Sequence, residues 1–217
     1  MQRLTQRVFA LAPPGGLFDA AVVRNLFPAA SAGARKLLVH RAVIQGEVLR
    51  LRPGLYCLAP VYRKTPLHPF TVAAALYGPS HVSLESALAF HGLLPEAVFQ
   101  VASVTAQRSR TNVTPLGTFV FRRVPSHDPK AGVRAVRLSP DAWAFVALPL
   151  RAIADLVYLR RGISWSRDGL GFLTKSLRME DADLRTMNLE AFAEIRRAIR
   201  NRRTQDYLDG LHKELHA

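Results

Sequence analysis

The sequence predicts an α+β chain: an N-terminal winged helix-turn-helix over residues 1–62, followed over 63–217 by a mixed α/β domain with a small sheet and a helical C-terminal tail. Three observations predict it. Residues 31–58 switch from helical periodicity to extended alternation across Gly46. The positive charge is concentrated in that same part of the chain. Beyond the proline-containing stretch VYRKTPLHP (61–69), strand-like patterns come first and helix-like patterns follow.

The first helix spans 2–12, where Leu4, Val8 and Leu11 recur at spacings of four and three. Pro13-Pro14-Gly15-Gly16 stops it, and Leu17-Phe18 is a brief extended piece. Asp19 suits the N-cap of a second helix over 20–27, which Pro28 ends. Ser31 caps a third helix, because its hydroxyl accepts one of the first-turn N–H groups left without a partner. Ala34, Leu38, Val39, Ala42 and Val43 share one broad arc of that helix, and Gly46 stands where a helix usually stops. Val48, Leu49, Leu51, Leu55, Tyr56 and Leu58 then surround Arg52-Pro53-Gly54, a turn in which Pro presets one dihedral and Gly supplies another. In a winged helix-turn-helix such a helix enters the major groove, and the hairpin tracks phosphate.

Past the linker, 70–77 reads as a helix ended by Gly78-Pro79. A second helix covers 81–93, with Ser83 as N-cap, Glu85 in its first turn and Gly92 as its stop. Residues 99–105, 117–124, 133–139 and 142–147 read as strands. The polar segment 107–114 reads as a loop that brings Arg108 and Arg110 as a second phosphate contact. Residues 149–161 form an amphipathic helix in which Arg151 and Asp155, four apart, can pair for roughly a few tenths of a kcal/mol if exposed. Helices over 169–177, 181–186, 189–201 and 204–216 complete the chain.

With 217 residues, 49% apolar and 21% charged, the chain has enough apolar content for a packed core. A net charge of +14 favours a polyanionic partner, nucleic acid first and an anionic membrane surface second. Residues 1–64 hold 10 Lys/Arg against 2 Asp/Glu, so more than half of the surplus coincides with the helix and hairpin. The one cysteine, Cys57, makes neither an internal disulfide nor a zinc site and reads as a small core residue. No apolar run reaches the ~18 residues of a membrane span, and the N-terminus lacks the features of a signal peptide. The expectation is a cytoplasmic protein with no membrane partner.

The expected DNA-binding set is Ser31 at the start of the third helix, Arg35 on phosphate, and Lys36, His40 and Arg41 facing the groove. Arg50 and Arg52 join them on the hairpin, sharing a face because they are two apart, and Arg108 and Arg110 on the later loop. Leu37 and Ile44 lie near the polar side of the helix, forming a second apolar arc. No catalytic residue, metal or cofactor is expected. Glycine-rich phosphate loops are missing, and the seven histidines do not cluster with carboxylates at ligand spacing. Ser83 or Ser86 with His91, eight or five apart on one helix, does not bring a hydroxyl against an imidazole. A DNA-targeted nuclease is the rival reading; it needs paired carboxylates near a lysine, where the strands carry Arg122, Arg123, Arg134 and Arg137. A third reading is a plain sequence-specific DNA-binding regulator, its second domain serving dimerisation or ligand sensing.

Four stretches, GEVLRLRPGLYCL, HVSLESALAFHGLLPE, LPLRAIADLVYL and LRTMNLEAFAEI, resemble the AbiEi family of antitoxins from bacterial type IV toxin–antitoxin systems. The resemblance covers nearly the whole chain, and 83–96 is its most specific part. It implies an N-terminal winged helix that binds repeats in the operon's own promoter, as double-stranded DNA, and represses it. It also implies a C-terminal domain that opposes a cognate nucleotidyltransferase-like toxin, functionally if not physically. Lys36, His40, Arg41, Arg50 and Arg52 match the family's basic DNA-binding pattern. Ser83, Glu85, Ser86 and His91 match its second-domain motif, to which capping and packing roles are assigned here. The chain departs from the commoner pattern at Leu37, Ile44 and Leu49, where polar residues are usual.

Overall fold

A computed structural model describes residues 1–95, 99–189 and 191–215. Glu96 and Glu190 of the resemblance stretches, and His216 of the last expected helix, lie outside the described residues. The chain is mixed α/β, with helices and two sheets. No helix among the described residues is long and apolar enough to cross a membrane.

The first part runs α1 (Arg3–Leu11), β1 (Leu17–Asp19), α2 (Ala20–Leu26), α3 (Ala32–Ile44), β2 (Val48–Arg52) and β3 (Leu55–Leu58). Both β1 and β2 pair antiparallel with β3, giving a small sheet of order β1-β3-β2. Both expected caps form: the Asp19 carboxylate accepts the Val22 N–H at 2.9 Å, and the Ser31 hydroxyl accepts the Ala34 N–H at 3.2 Å. Leu4, Val8, Val23, Phe27, Val39 and Ala42 draw the three helices around one core. Gly54, at φ +80°, makes the hairpin turn, and its carbonyl accepts the Ala20 N–H at 3.0 Å, tying the hairpin tip to the start of α2. Asp19→Ala should cost about 1 kcal/mol, read as a lower urea midpoint at constant m value. An unshifted midpoint would show that the cap contributes nothing.

The second sheet has the order β6-β7-β5-β4-β9-β8, built from β4 (His81–Val82), β5 (Gln100–Thr105), β6 (Arg110–Thr114), β7 (Gly117–Arg123), β8 (Val133–Ser139) and β9 (Ala142–Ala147). The β5–β7 and β4–β9 pairs are parallel and the other pairs antiparallel. Helices α4 (Pro69–Leu76), α5 (Leu84–Phe90) and α6 (Pro149–Leu159) are followed by α7 (Trp165–Asp168), a π-type turn at Phe172–Ser176, α8 (Asp181–Arg185), α9 (Phe192–Ala198) and α10 (Arg202–Leu215). Leu88, Ile153, Val157, Leu173, Leu208 and Leu211 form the heart of the core that joins these helices to the sheet.

A third cluster connects the two parts. Leu51, Leu55 and Cys57 of the hairpin pack on Val72 and Leu76 of α4 and on Phe119 and Phe121 of β7. Apolar packing therefore continues past residue 62, where the sequence pattern places the domain boundary. Cys57 is buried as expected, and that burial pushes its thiol pKa up.

The elements differ from expectation where local pattern is weakest. The segment expected as a loop holds β6, an edge strand paired with β7, in which Arg110, Thr111 and Val113 are exposed and Asn112 and Thr114 half-buried. Helix α5 starts at Leu84 after Ser83, the expected N-cap position, and the preceding His81 and Val82 form the two-residue strand β4, which the sequence pattern does not predict. Where a helix is expected over 169–177, Gly169 at φ +47° closes the preceding short α7 and the stretch forms the π-type turn at Phe172–Ser176. The helix expected over 189–201 is shortened to α9.

Candidate nucleic-acid interface

Helix α3 contains no carboxylate. Val39 and Ala42 are its buried positions, with Leu38 and Val43 half-buried beside them. At 3.6 residues per turn the opposite face is centred on Leu37, His40 and Ile44 and flanked by Lys36 and Arg41. All five are exposed, Leu37 by 46% and Ile44 by 67%. The two acids of the first 64 residues serve backbone amides. Asp19 caps α2, and Glu47 accepts the Gln2 N–H at 2.6 Å with the terminal ammonium 3.4 Å away.

A shallow groove of about 210 Å³ runs beside α3, lined by Arg24 of α2, Arg35 and Lys36 of α3, and Tyr56 of β3 among others. Arg50 is the register partner of Tyr56, so the two share a face of the hairpin. Among the described residues Arg24, Lys36, Arg41 and Arg50 make no ion pair with a carboxylate. Arg24 is not among the residues expected from the sequence. The signal available for it is that α2 carries a single cation, one residue after the buried Val23.

The other expected residues are placed differently. The Ser31 hydroxyl is occupied as the cap of α3. Arg35, expected on phosphate, is half-buried and turns back, its Nη1 donating to the carbonyls of Phe27 at 3.3 Å and of Ala30. It holds the α2–α3 turn. Arg50 and Arg52, expected on one face, are separated by a bulge in the β2–β3 register that breaks the two-residue alternation. Arg50 is exposed, whereas Arg52 donates through Nη2 to the Ala75 carbonyl of α4 at 3.2 Å and through Nη1 to the Pro53 carbonyl at 3.2 Å. Arg108 and Arg110 are exposed near the sheet edge, and β6 lies against β2. The Arg110 guanidinium stands 5.6 Å from the centroid of the Tyr77 ring, and the Tyr77 hydroxyl donates to the Arg108 carbonyl at 3.2 Å.

The polar groups of the motif HVSLESALAFH that follow His81 have structural uses. Ser83, expected to cap a helix, instead donates its hydroxyl to Asp155 Oδ2 of α6 at 2.8 Å. Ser86 donates to the Gln100 carbonyl at 3.0 Å and accepts the Ala102 N–H at 2.8 Å, fastening α5 to β5. His91 Nε2 meets the Ala147 carbonyl at 2.9 Å, and Glu85 accepts from Arg160 at 2.7 Å. Arg151 and Asp155 pair as their spacing allows, but in the interior, at 1% and 0% exposure. Arg151 donates from Nε to Asp155 Oδ1 at 3.0 Å and from Nη1 to the Ala131 carbonyl at 2.7 Å, and His81 Nε2 stands 3.7 Å from Asp155 Oδ2.

Burial alone would raise the Asp155 carboxyl, but the charge of Arg151, with smaller help from His81 and Ser83, holds it below the ordinary carboxylate range. The native pKa is depressed, so the stabilisation is full above the unfolded value, about 3.9, and is lost as pH falls through the native one. Urea midpoints should therefore drop below about pH 4 in the natural chain and drop less steeply in Asp155→Asn. Parallel pH curves would remove this pair from the acid response.

Among the described residues no group of three His, Cys, Asp or Glu side chains is arranged to hold a metal ion. No protein-family model matches the chain, and no curated protein sequence matches it.

Proposed function

We propose that this chain is a DNA-binding transcriptional autorepressor with a winged helix-turn-helix N-terminus, and an antitoxin of the AbiEi kind that opposes a nucleotidyltransferase-like toxin in the cytoplasm. The observation that carries the DNA-binding reading is the outward face of α3, with Lys36, His40 and Arg41 exposed on a helix that has no carboxylate. A helix about 10–12 Å across with its side chains fits a major groove about 12 Å wide. With α3 seated there, His40 and Arg41 reach base edges, and Leu37 and Ile44 offer apolar contact to thymine methyl groups. Arg24, Lys36 and Arg50 neutralise phosphates along the neighbouring groove, which sets position and affinity. Arg35 and the two caps hold α3 at its angle.

The antitoxin half of the reading rests on the four stretches that resemble AbiEi proteins. No catalytic step is assigned to the chain itself. DNase footprinting on the DNA upstream of its own gene should show protected repeats, and co-expression with a neighbouring nucleotidyltransferase-like gene should restore growth. Protection without rescue would leave a regulator with no toxin partner; rescue without protection would remove the repressor.

His40→Ala and Arg41→Ala should each relax sequence preference, by about 1–3 kcal/mol for a good bidentate contact and less for the imidazole. Binding selections on randomised duplexes measure this. An unaltered consensus in both variants would place base reading on another surface.

A further inference from the structure

A cavity of about 510 Å³ lies on the second sheet beside the start of α6. Val104, Val124, Val133 and Phe145 give it mostly apolar walls, and Phe145, 59% exposed, leaves one wall open to solvent. Two buried polar side chains also line it, Arg151 at 1% exposure and His81 at 8%. Neither is fully satisfied. His81 Nε2 has no hydrogen-bond partner. Arg151 uses Nε and Nη1 on Asp155 and Ala131, and its Nη2 meets no acceptor among the described residues.

We infer that this cavity binds a small monocarboxylate with an apolar body, its carboxylate on Arg151 and its body against the valines and Phe145. Buried guanidinium donors lack acceptors here, and a carboxylate supplies two. Asp155 balances the Arg151 charge, so the ligand's carboxylate is held by the donors left over, Arg151 Nη2 and the His81 Nε2 beside it. At the rim stand Lys130 and Asp128, whose carboxylate accepts the Lys130 backbone N–H at 2.8 Å. Apolar walls with only two buried polar side chains suit neither a sugar nor a phosphate dianion, both of which need many polar partners. The site is independent of DNA binding.

Calorimetric titration of the full chain with decanoate below its micellar concentration, without DNA, tests this. One saturable site is expected, with decan-1-ol at least about ten-fold weaker because it lacks the charge-assisted bonds. Val133→Trp, which fills the cavity, should abolish uptake while far-UV circular dichroism shows the fold retained. Phe145→Ala, at an exposed position, should weaken it several-fold and serves if Val133→Trp does not fold. Absence of saturable uptake, equal affinity for decan-1-ol, or decanoate binding unchanged in a folded variant would overturn the inference.

Discussion

Replacing Arg24, Lys36 and Arg50 together by alanine is expected to flatten the dependence of log Kobs on log salt by about 2.7, roughly 0.9 for each phosphate no longer neutralised. Affinity should fall for matched and scrambled duplexes alike, because phosphate contacts position the protein without reading bases. These three cations border one groove or share the face of its Tyr56 wall, and none is paired with a carboxylate among the described residues. Arg52→Ala is the matched control. Its guanidinium is engaged with the Ala75 and Pro53 carbonyls, so the substitution should lower stability and leave the salt slope in place. Anisotropy titrations of a labelled duplex at several salt concentrations measure both. An unchanged slope in the triple variant would take this groove off the phosphate path, and a reduced slope in Arg52→Ala would return that residue to it.

Asp155→Ala is expected to destabilise the chain by about 3–5 kcal/mol, because it leaves the buried Arg151 charge uncompensated. A loss of that size removes a large part of the roughly 5–15 kcal/mol that typically holds a domain together. Ser83→Ala should cost only about 1 kcal/mol, since Asp155 keeps its pair with Arg151. Replacing Arg151 and Asp155 together by apolar residues of similar volume should recover part of the loss, the Ala131 carbonyl still lacking its donor. Urea denaturation of the four proteins gives these differences directly. A cost for Asp155→Ala near that of Ser83→Ala would mean that Arg151 is served by water rather than by its carboxylate.

Features set by neighbouring residues are legible in the sequence. Asp19 and Ser31 cap the helices they precede, Gly54 makes the hairpin turn, and the four segments read as strands form β5, β7, β8 and β9. Features set by distant partners are not. Ser83 looks like a helix cap until Asp155, 72 residues away, is placed beside it. Arg151 and Asp155 resemble a surface pair because helical spacing alone does not say that Ala131 and Ser83 will enclose them. The bulge separating Arg50 from Arg52 leaves no mark in the strict alternation of VLRLR. Strand β6 is mostly polar and lies at a sheet edge, so its sequence has the composition of a loop, and only pairing with β7 makes it a strand. The exposed residues Lys36, His40 and Arg41 are legible because one helix face suffices to place them. Arg24 is not, because its neighbours in the groove come from α3 and β3.

Binding of the full chain to the duplex immediately upstream of its own gene, against a scrambled duplex of the same length and composition across a salt series, tests the DNA-binding proposal most directly. The upstream duplex should bind more tightly at every salt concentration, with both duplexes showing steep salt slopes and the gap between them persisting as salt rises. Equal affinity for the two duplexes, converging on purely salt-driven binding, would contradict a sequence-reading α3 and leave the basic face as a general polyanion surface.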